Sequence, residues 1–176
     1  MAQNPETLMW KNLRAKMPQH WHTTRIENRF GGGIPDVHVC AESLAFWIEL
    51  KTTKTNRVNV SAHQVAWNFA YSQSGGVSFF LVSPLSSPNL YLFGGDQGRG
   101  LVMHGLSGVG SGSGVPCLWS GSDWSGLLDR MLEVSRGRVG IMNHGSGSGV
   151  SRVGSGDSGS GTGDDGGSVT WPGPGV

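Results

Sequence analysis

Only two cysteines occur in the 176 residues, Cys40 and Cys117. That is too few for a disulfide framework, and no Cys-x-x-Cys pair is present to supply zinc thiolates. His20-x-His22 has no partner pair nearby and reads as ordinary loop or strand histidine. Charge is sparse as well: 14% of residues are charged and the formal net charge is +1, so bulk electrostatics argue neither for nor against a polyanionic partner. Long apolar runs are missing. The longest, Val77 to Val82 with Ser78 inside it, is far below a membrane span. The opening Met-Ala-Gln-Asn-Pro lacks the basic, apolar and small-residue order of a secretory signal. A soluble, cytoplasmic chain with no membrane partner is the expectation. Gly31-Gly32-Gly33 lacks the strand-to-helix context of a nucleotide-binding loop. It reads instead as a turn where backbone passes close to a neighbouring strand or to a ligand.

Glycine is abundant but unevenly placed. Of 30 glycines, seven precede residue 96. The spacing predicts a compact unit over 1–95, a Gly/Ser-rich extension with a closing helix over 96–134, and a disordered Gly/Ser-rich tail over 135–176. The first 95 residues carry eight Lys/Arg and five Asp/Glu, a mildly basic balance compatible with nucleic acid.

Within the compact unit, Asn4 caps a first helix with Pro5 in its first turn. Glu6, Trp10, Leu13 and Met17 fall on one stripe of that helix. Trp21 to Arg29 reads as a strand, and a second strand starts at Pro35. Ala41-Glu42-Ser43-Leu44 is short enough for a hairpin connection to a third, Phe46 to Lys51. Ser61 and Gln64 form a capping box for a second helix, whose packing side is predicted as Val65, Phe69 and Ser72 with Ala66 and Ala70. Trp67 and Tyr71 are assigned to the core or to a dimer contact rather than to a base-stacking platform. Gly75-Gly76 closes the helix, Val77–Val82 is a central buried strand and Leu90–Phe93 another. A crossover helix allows the fourth strand to join parallel to the third. Residues 94–122 show only isolated apolar positions, and Ser122–Glu133 is a further amphipathic helix.

One stretch gives this α/β unit a chemistry. Alternation along the third strand puts Glu49 and Lys51 on one face, with Ile48 and Leu50 on the other. If the second and third strands pair, Asp36 comes beside Glu49. Two adjacent carboxylates persist comfortably only with a cation between them. A hard ion such as Mg²⁺ takes one or two carboxylates and leaves positions for water and phosphate. The Leu50 carbonyl, between the two side chains, is a further candidate ligand. The alternative is a buried Glu49–Lys51 salt bridge with no metal.

Pro35-Asp36 followed by Glu49-Leu50-Lys51 resembles the PD-(D/E)xK nuclease signature. With Gly33-Ile34-Pro35-Asp36-Val37, Trp47–Thr52 and Val60–Trp67 in order, the chain is similar to the virus-type replication-repair nuclease (VRR-NUC) branch, a neighbour of archaeal-type Holliday junction resolvases. The resemblance covers residues 4–95. It implies a restriction-endonuclease-like core, a central mixed β-sheet flanked by helices. It also implies a Mg²⁺- or Mn²⁺-dependent DNA endonuclease acting on branched DNA as a homodimer, from a viral or mobile-element setting. Carried onto this sequence, Asp36, Glu49, Lys51 and Gln64 are the catalytic set. Asp36, Glu49, Leu50 and Glu6 are the metal set. Arg25, Arg29, Lys54 and Arg57 are candidates for gripping the phosphate backbone. A catalytically inactive nucleic-acid-binding module on the same fold is the alternative.

Overall fold

The computed structural model describes residues 4–26, 32–107, 109 and 114–144. They form one mixed six-stranded sheet flanked by four α-helices. The elements are α1 (Pro5–Lys16), β1 (His22–Arg25), β2 (Val37–Ala41), β3 (Leu44–Thr53), α2 (Ala62–Gln73), β4 (Ser78–Pro84), β5 (Leu90–Gly94), α3 (Gly98–His104), β6 (Trp119–Gly121) and α4 (Trp124–His144). The strands lie in chain order. Every neighbouring pair is antiparallel except β3 and β4, which run parallel with α2 as their crossover.

Local signals account for most boundaries. The Asn4 side chain accepts the Glu6 N–H at 3.0 Å, and Pro5 occupies the first turn. The β2–β3 hairpin turns on Glu42 and Ser43, both at positive φ (51° and 64°), as a two-residue loop requires. Both halves of the Ser61/Gln64 capping box form. Asp123 caps α4 by accepting the N–H groups of Ser125 and Gly126.

Two hydrophobic layers sandwich the sheet. Beneath it, Leu13 of α1 and Leu127 and Met131 of α4 pack on Phe46, Ile48, Phe79 and Leu81. Above it, Leu101 of α3 and Val65 of α2 pack with Phe80, Val82 and Phe93. Residues buried on both sides of β4 explain its unbroken apolar run.

Several expectations are corrected. The strand predicted over Trp21–Arg29 is described only as His22–Arg25, and Trp21 is a core residue instead. Residues 27–31, Arg29 among them, lie outside the described residues. On α1 the expected Leu13 and Met17 are buried with Trp10 packed against them, Met9 joins this face, and Glu6 is half-buried. In α2 the deepest positions are Asn68 and Ser72, while Phe69 is 51% exposed and Ala66 and Ala70 face solvent. The stretch 94–122 holds α3 and β6, neither of which was anticipated, and β6 extends the same sheet. The last helix runs on past Glu133 to His144, into the stretch expected to be disordered. The rest of the predicted tail, 145–176, lies outside the described residues. No helix among the described residues is long and apolar enough to cross a membrane.

Gly33 fixes how the start of β2 meets α2. Its φ is +98°, and a Cβ there would sit 2.3 Å from the His63 carbonyl oxygen. The close approach is therefore to the first turn of α2, not to a strand. Gly33→Ala combines left-handed strain with a backbone clash and is expected to cost about 1–3 kcal/mol. The check is the denaturant midpoint. An unchanged midpoint would contradict this contact.

Candidate functional site

The register of β2 and β3 sets the site. Val37 pairs with Ile48, so Asp36, one residue before β2, falls opposite Glu49, and both side chains leave the same face of the sheet. Lys51, two residues on, shares that face. The Asp36 Oδ2 accepts the Leu50 N–H at 2.8 Å. In an extended strand the carbonyl of the same residue points to the same side, which directs the Leu50 oxygen toward Asp36 where β2 has not yet begun.

Glu49 is 1% exposed. One oxygen, Oε1, receives two donors: the Lys51 Nζ at 3.0 Å and the Gln64 Nε2 at 2.5 Å. The other, Oε2, is buried with no hydrogen-bond partner. Gln64 makes the helix cap and also reaches Glu49. Its Oε1 accepts the Ser61 N–H at 3.0 Å while its amide nitrogen serves Glu49. Asn68, fully buried, donates to the Gln64 carbonyl at 2.9 Å and ties that turn of α2 down.

Burial pushes the Glu49 carboxyl up from 4.5 to about 7, and the neighbouring Asp36 charge adds to the rise. Lys51 pulls the other way, and Glu6 contributes a smaller upward push. Asp36 is also raised, chiefly by burial, against the Leu50 N–H, Lys51 and Arg25, which all favour its charged form. A satisfied structural salt bridge should favour the ionised acid. Here desolvation and a second carboxylate outweigh the lysine.

The donor set fits a hard divalent cation: two converging carboxylates, one orphaned buried carboxylate oxygen and an adjacent main-chain carbonyl. Asp36, Glu49 and the Leu50 carbonyl would hold it. Glu6 is half-buried at the start of α1 and near enough to influence Glu49. Among the described residues, however, no three His, Cys, Asp or Glu side chains gather around one point, so Glu6 does not complete a three-acid cluster.

The predicted basic residues are less closely grouped. Arg25 ends β1, half-buried, with its charge felt at Asp36. Lys54 and Arg57 are exposed on the loop after β3. That loop is ordered around Thr53, whose Oγ1 bonds the carbonyls of Thr55 and Arg57 at 2.8 and 2.5 Å. A cavity of about 220 Å³ lined by Ser72, Ser78, Gly95 and Arg138 contains none of the predicted site residues.

The sequence reading missed an aromatic run on the site face. The His38 and Trp47 rings are 4.6 Å apart, Trp47 and Trp67 meet edge-on at 5.6 Å, and Trp67 stacks on Tyr71 at 4.9 Å. None of the four belongs to either hydrophobic layer. Trp67 and Tyr71 are therefore not core residues. The period-two pattern of β2 and β3 was the available signal, since it places His38 and Trp47 on the face of Asp36 and Glu49.

No family model matches the chain, and no curated protein matches it significantly. Among solved structures, the chain is similar to Hjc, a Holliday junction resolvase of the archaeal hyperthermophile Archaeoglobus fulgidus. The TM-score is 0.41 and the identity 15%, over 52% of this chain and 75% of that one. A likeness this loose adds no weight to the site's chemistry, which rests on the geometry above.

Because folded Glu49 holds its proton more tightly than the unfolded chain does, the native state binds more protons between pH 4.5 and 7. Stability of the metal-free protein should therefore fall as pH rises through that window, by up to ~3 kcal/mol. Urea titrations at several pH values provide the measurement. Glu49→Gln should remove most of the slope; a slope unaltered in that variant would place the titration elsewhere.

Proposed function

We propose that this chain is a divalent-metal-dependent DNA endonuclease, hydrolysing phosphodiester bonds with structure selectivity for branched DNA. The observation that carries the reading is the convergence of Asp36, Glu49 and Lys51, with a buried oxygen of Glu49 left without a partner. An orphaned buried carboxylate oxygen costs free energy unless something binds it. A cation beside a second carboxylate removes that cost.

Bound there, Mg²⁺ or Mn²⁺ supplies Lewis-acid polarisation of the phosphate and a lowered pKa for water. The protein's own groups do the rest. Asp36 and Glu49 fix the ion's place, and the Leu50 N–H holds Asp36 in its rotamer. Gln64 orients Glu49 from above and excludes bulk water. Lys51 is positioned to hydrogen-bond the attacking water and to offset charge developing on the phosphate oxygens. The water oxygen bonds to phosphorus as the bond from phosphorus to the leaving sugar oxygen breaks, the water proton passing to solvent and the sugar oxygen taking a proton from solvent as it leaves. Glu6 assists through water at the rim. Arg25, Lys54 and Arg57 contact backbone phosphates, and Arg29 is a further candidate from the sequence alone.

The preference for branched DNA and a homodimeric assembly rest on the PD-(D/E)xK and VRR-NUC resemblance of the three sequence blocks. An inactive binding module on the same fold is the second reading. It is disfavoured because no member of the acid–acid–lysine set is missing.

The direct test is a cleavage panel of four-way junction, flap and linear duplex, run with Mg²⁺ and with EDTA. Cleavage is expected only with metal and preferentially on the branched forms. Binding without cleavage would favour the inactive module. Lys51→Ala should lower the cleavage rate by a hundredfold or more, the scale of losing one preorganised donor, while leaving the fold intact. Asp36→Asn should weaken metal affinity together with activity, and metal affinity unchanged in that variant would contradict its role as a ligand. DNA affinity should fall as salt rises, with a log–log slope set by the number of phosphates contacted.

A further inference from the structure

The face that carries Asp36 and Glu49 continues away from them along β2 and β3, and there its character changes. Trp47 stands two residues before Glu49 on the same face, about 7 Å along the strand. From it the ring contacts run to His38 on one side and to Trp67 and Tyr71 of α2 on the other. All four rings are half-buried. Tyr71 is held by the neighbouring backbone, since a Cβ on Gly76 would fall 2.3 Å from its ring. The α2 helix packs over β4 and against α3. Among the described residues no helix covers this face over β1 and β2.

The chemistry of this shelf is narrow. The register puts His22 opposite Cys40 and Thr24 opposite His38, on the same face as the rings, and none of these carries a negative charge. Burial and the neighbouring His22 hold the His38 ring below its usual pKa. A partly exposed aromatic surface on which, beyond Asp36 and Glu49 at its end, no carboxylate sits among the described residues, and which adjoins the proposed cleavage centre, suits a planar base on a polyanionic strand.

We propose that Trp47, Trp67 and His38 form a stacking platform for an unpaired nucleobase flanking the scissile phosphate, so that the preferred substrate is DNA with single-stranded character at the cleavage point. The proposal rests on the nuclease reading for its polarity. A base held in a duplex cannot present its face to a ring, whereas an unpaired one can, and aromatic stacking is tolerant of base identity. Selection among branched substrates then follows: flaps and frayed junction arms engage the platform, and fully paired duplex does not.

The experiment is equilibrium binding of the full chain in EDTA, followed by tryptophan fluorescence. One probe is a single-stranded oligonucleotide, and the other is an abasic strand of equal length. The intact strand should quench fluorescence and bind tenfold or more tightly than the abasic one. Trp67→Leu should bring the two together, and Trp67→Phe, which keeps a ring, should restore the difference. Equal affinity for intact and abasic strands would overturn the platform. So would a wild-type dimer that Trp67→Leu splits with no base-dependent binding in either form, since the rings would then be a contact between copies. Tyr71→Leu, measured alongside, guards against a folding defect specific to Trp67. Metal-dependent cleavage of a flap substrate by the same preparation is scored separately. Base-dependent binding without any cleavage would sink the nuclease reading and leave the platform standing. Cleavage without base dependence would do the reverse.

Discussion

A carboxylate with one oxygen accepting from two protein donors and the other buried bare is the constraint on which this structure turns. Glu49 is placed where ionisation is costly, next to a second acid that makes it costlier, and with one ammonium that offsets only part of the cost. A buried ion pair of this kind contributes little to stability by itself. Its persistence makes physical sense when a cation completes it. The Lys51 charge then has a second use, because it stands at the edge of the same pocket, 12% exposed.

The fold serves that arrangement at several levels. The two-residue turn at Glu42 and Ser43 sets the β2–β3 register, and the register sets Asp36 against Glu49. The parallel pairing of β3 with β4 requires a crossover, and the crossover helix starts with the capping box that delivers Gln64 to Glu49. Gly33 lets the chain entering β2 lie against the first turn of that helix. Each device is local, yet all of them meet within one end of the sheet.

Much of this was legible in the sequence because it depends on short-range signals. Alternation placed Glu49 with Lys51, the turn length placed Asp36, and Ser61 with Gln64 announced a helix start. What was not legible depended on tertiary packing. The inward face of α2 carries Ser72, as expected, but also Asn68, a polar residue that a hydrophobic-periodicity reading leaves to solvent, while Phe69 points out. The α3 helix begins Gly-Arg-Gly, a poor helix former. It is held by packing, with Gly98 closely approached by Phe80. The β6 strand is only Trp-Ser-Gly, too short to alternate, and exists because β5 offers it an edge. Trp67 is expected in the core or at a dimer contact because large aromatic residues usually are. Only the three-dimensional register shows it beside Trp47 and outside both layers.

The most direct single measurement is calorimetric titration of the protein with Mn²⁺ in buffers of differing ionisation enthalpy, which counts protons released on binding. If the ion occupies Asp36 and Glu49, protons should leave near pH 6 and almost none near pH 8.5, because Glu49, raised to about 7, must ionise to bind. Absence of binding, or binding with no pH-dependent proton release, would contradict a metal centre at this pair of acids.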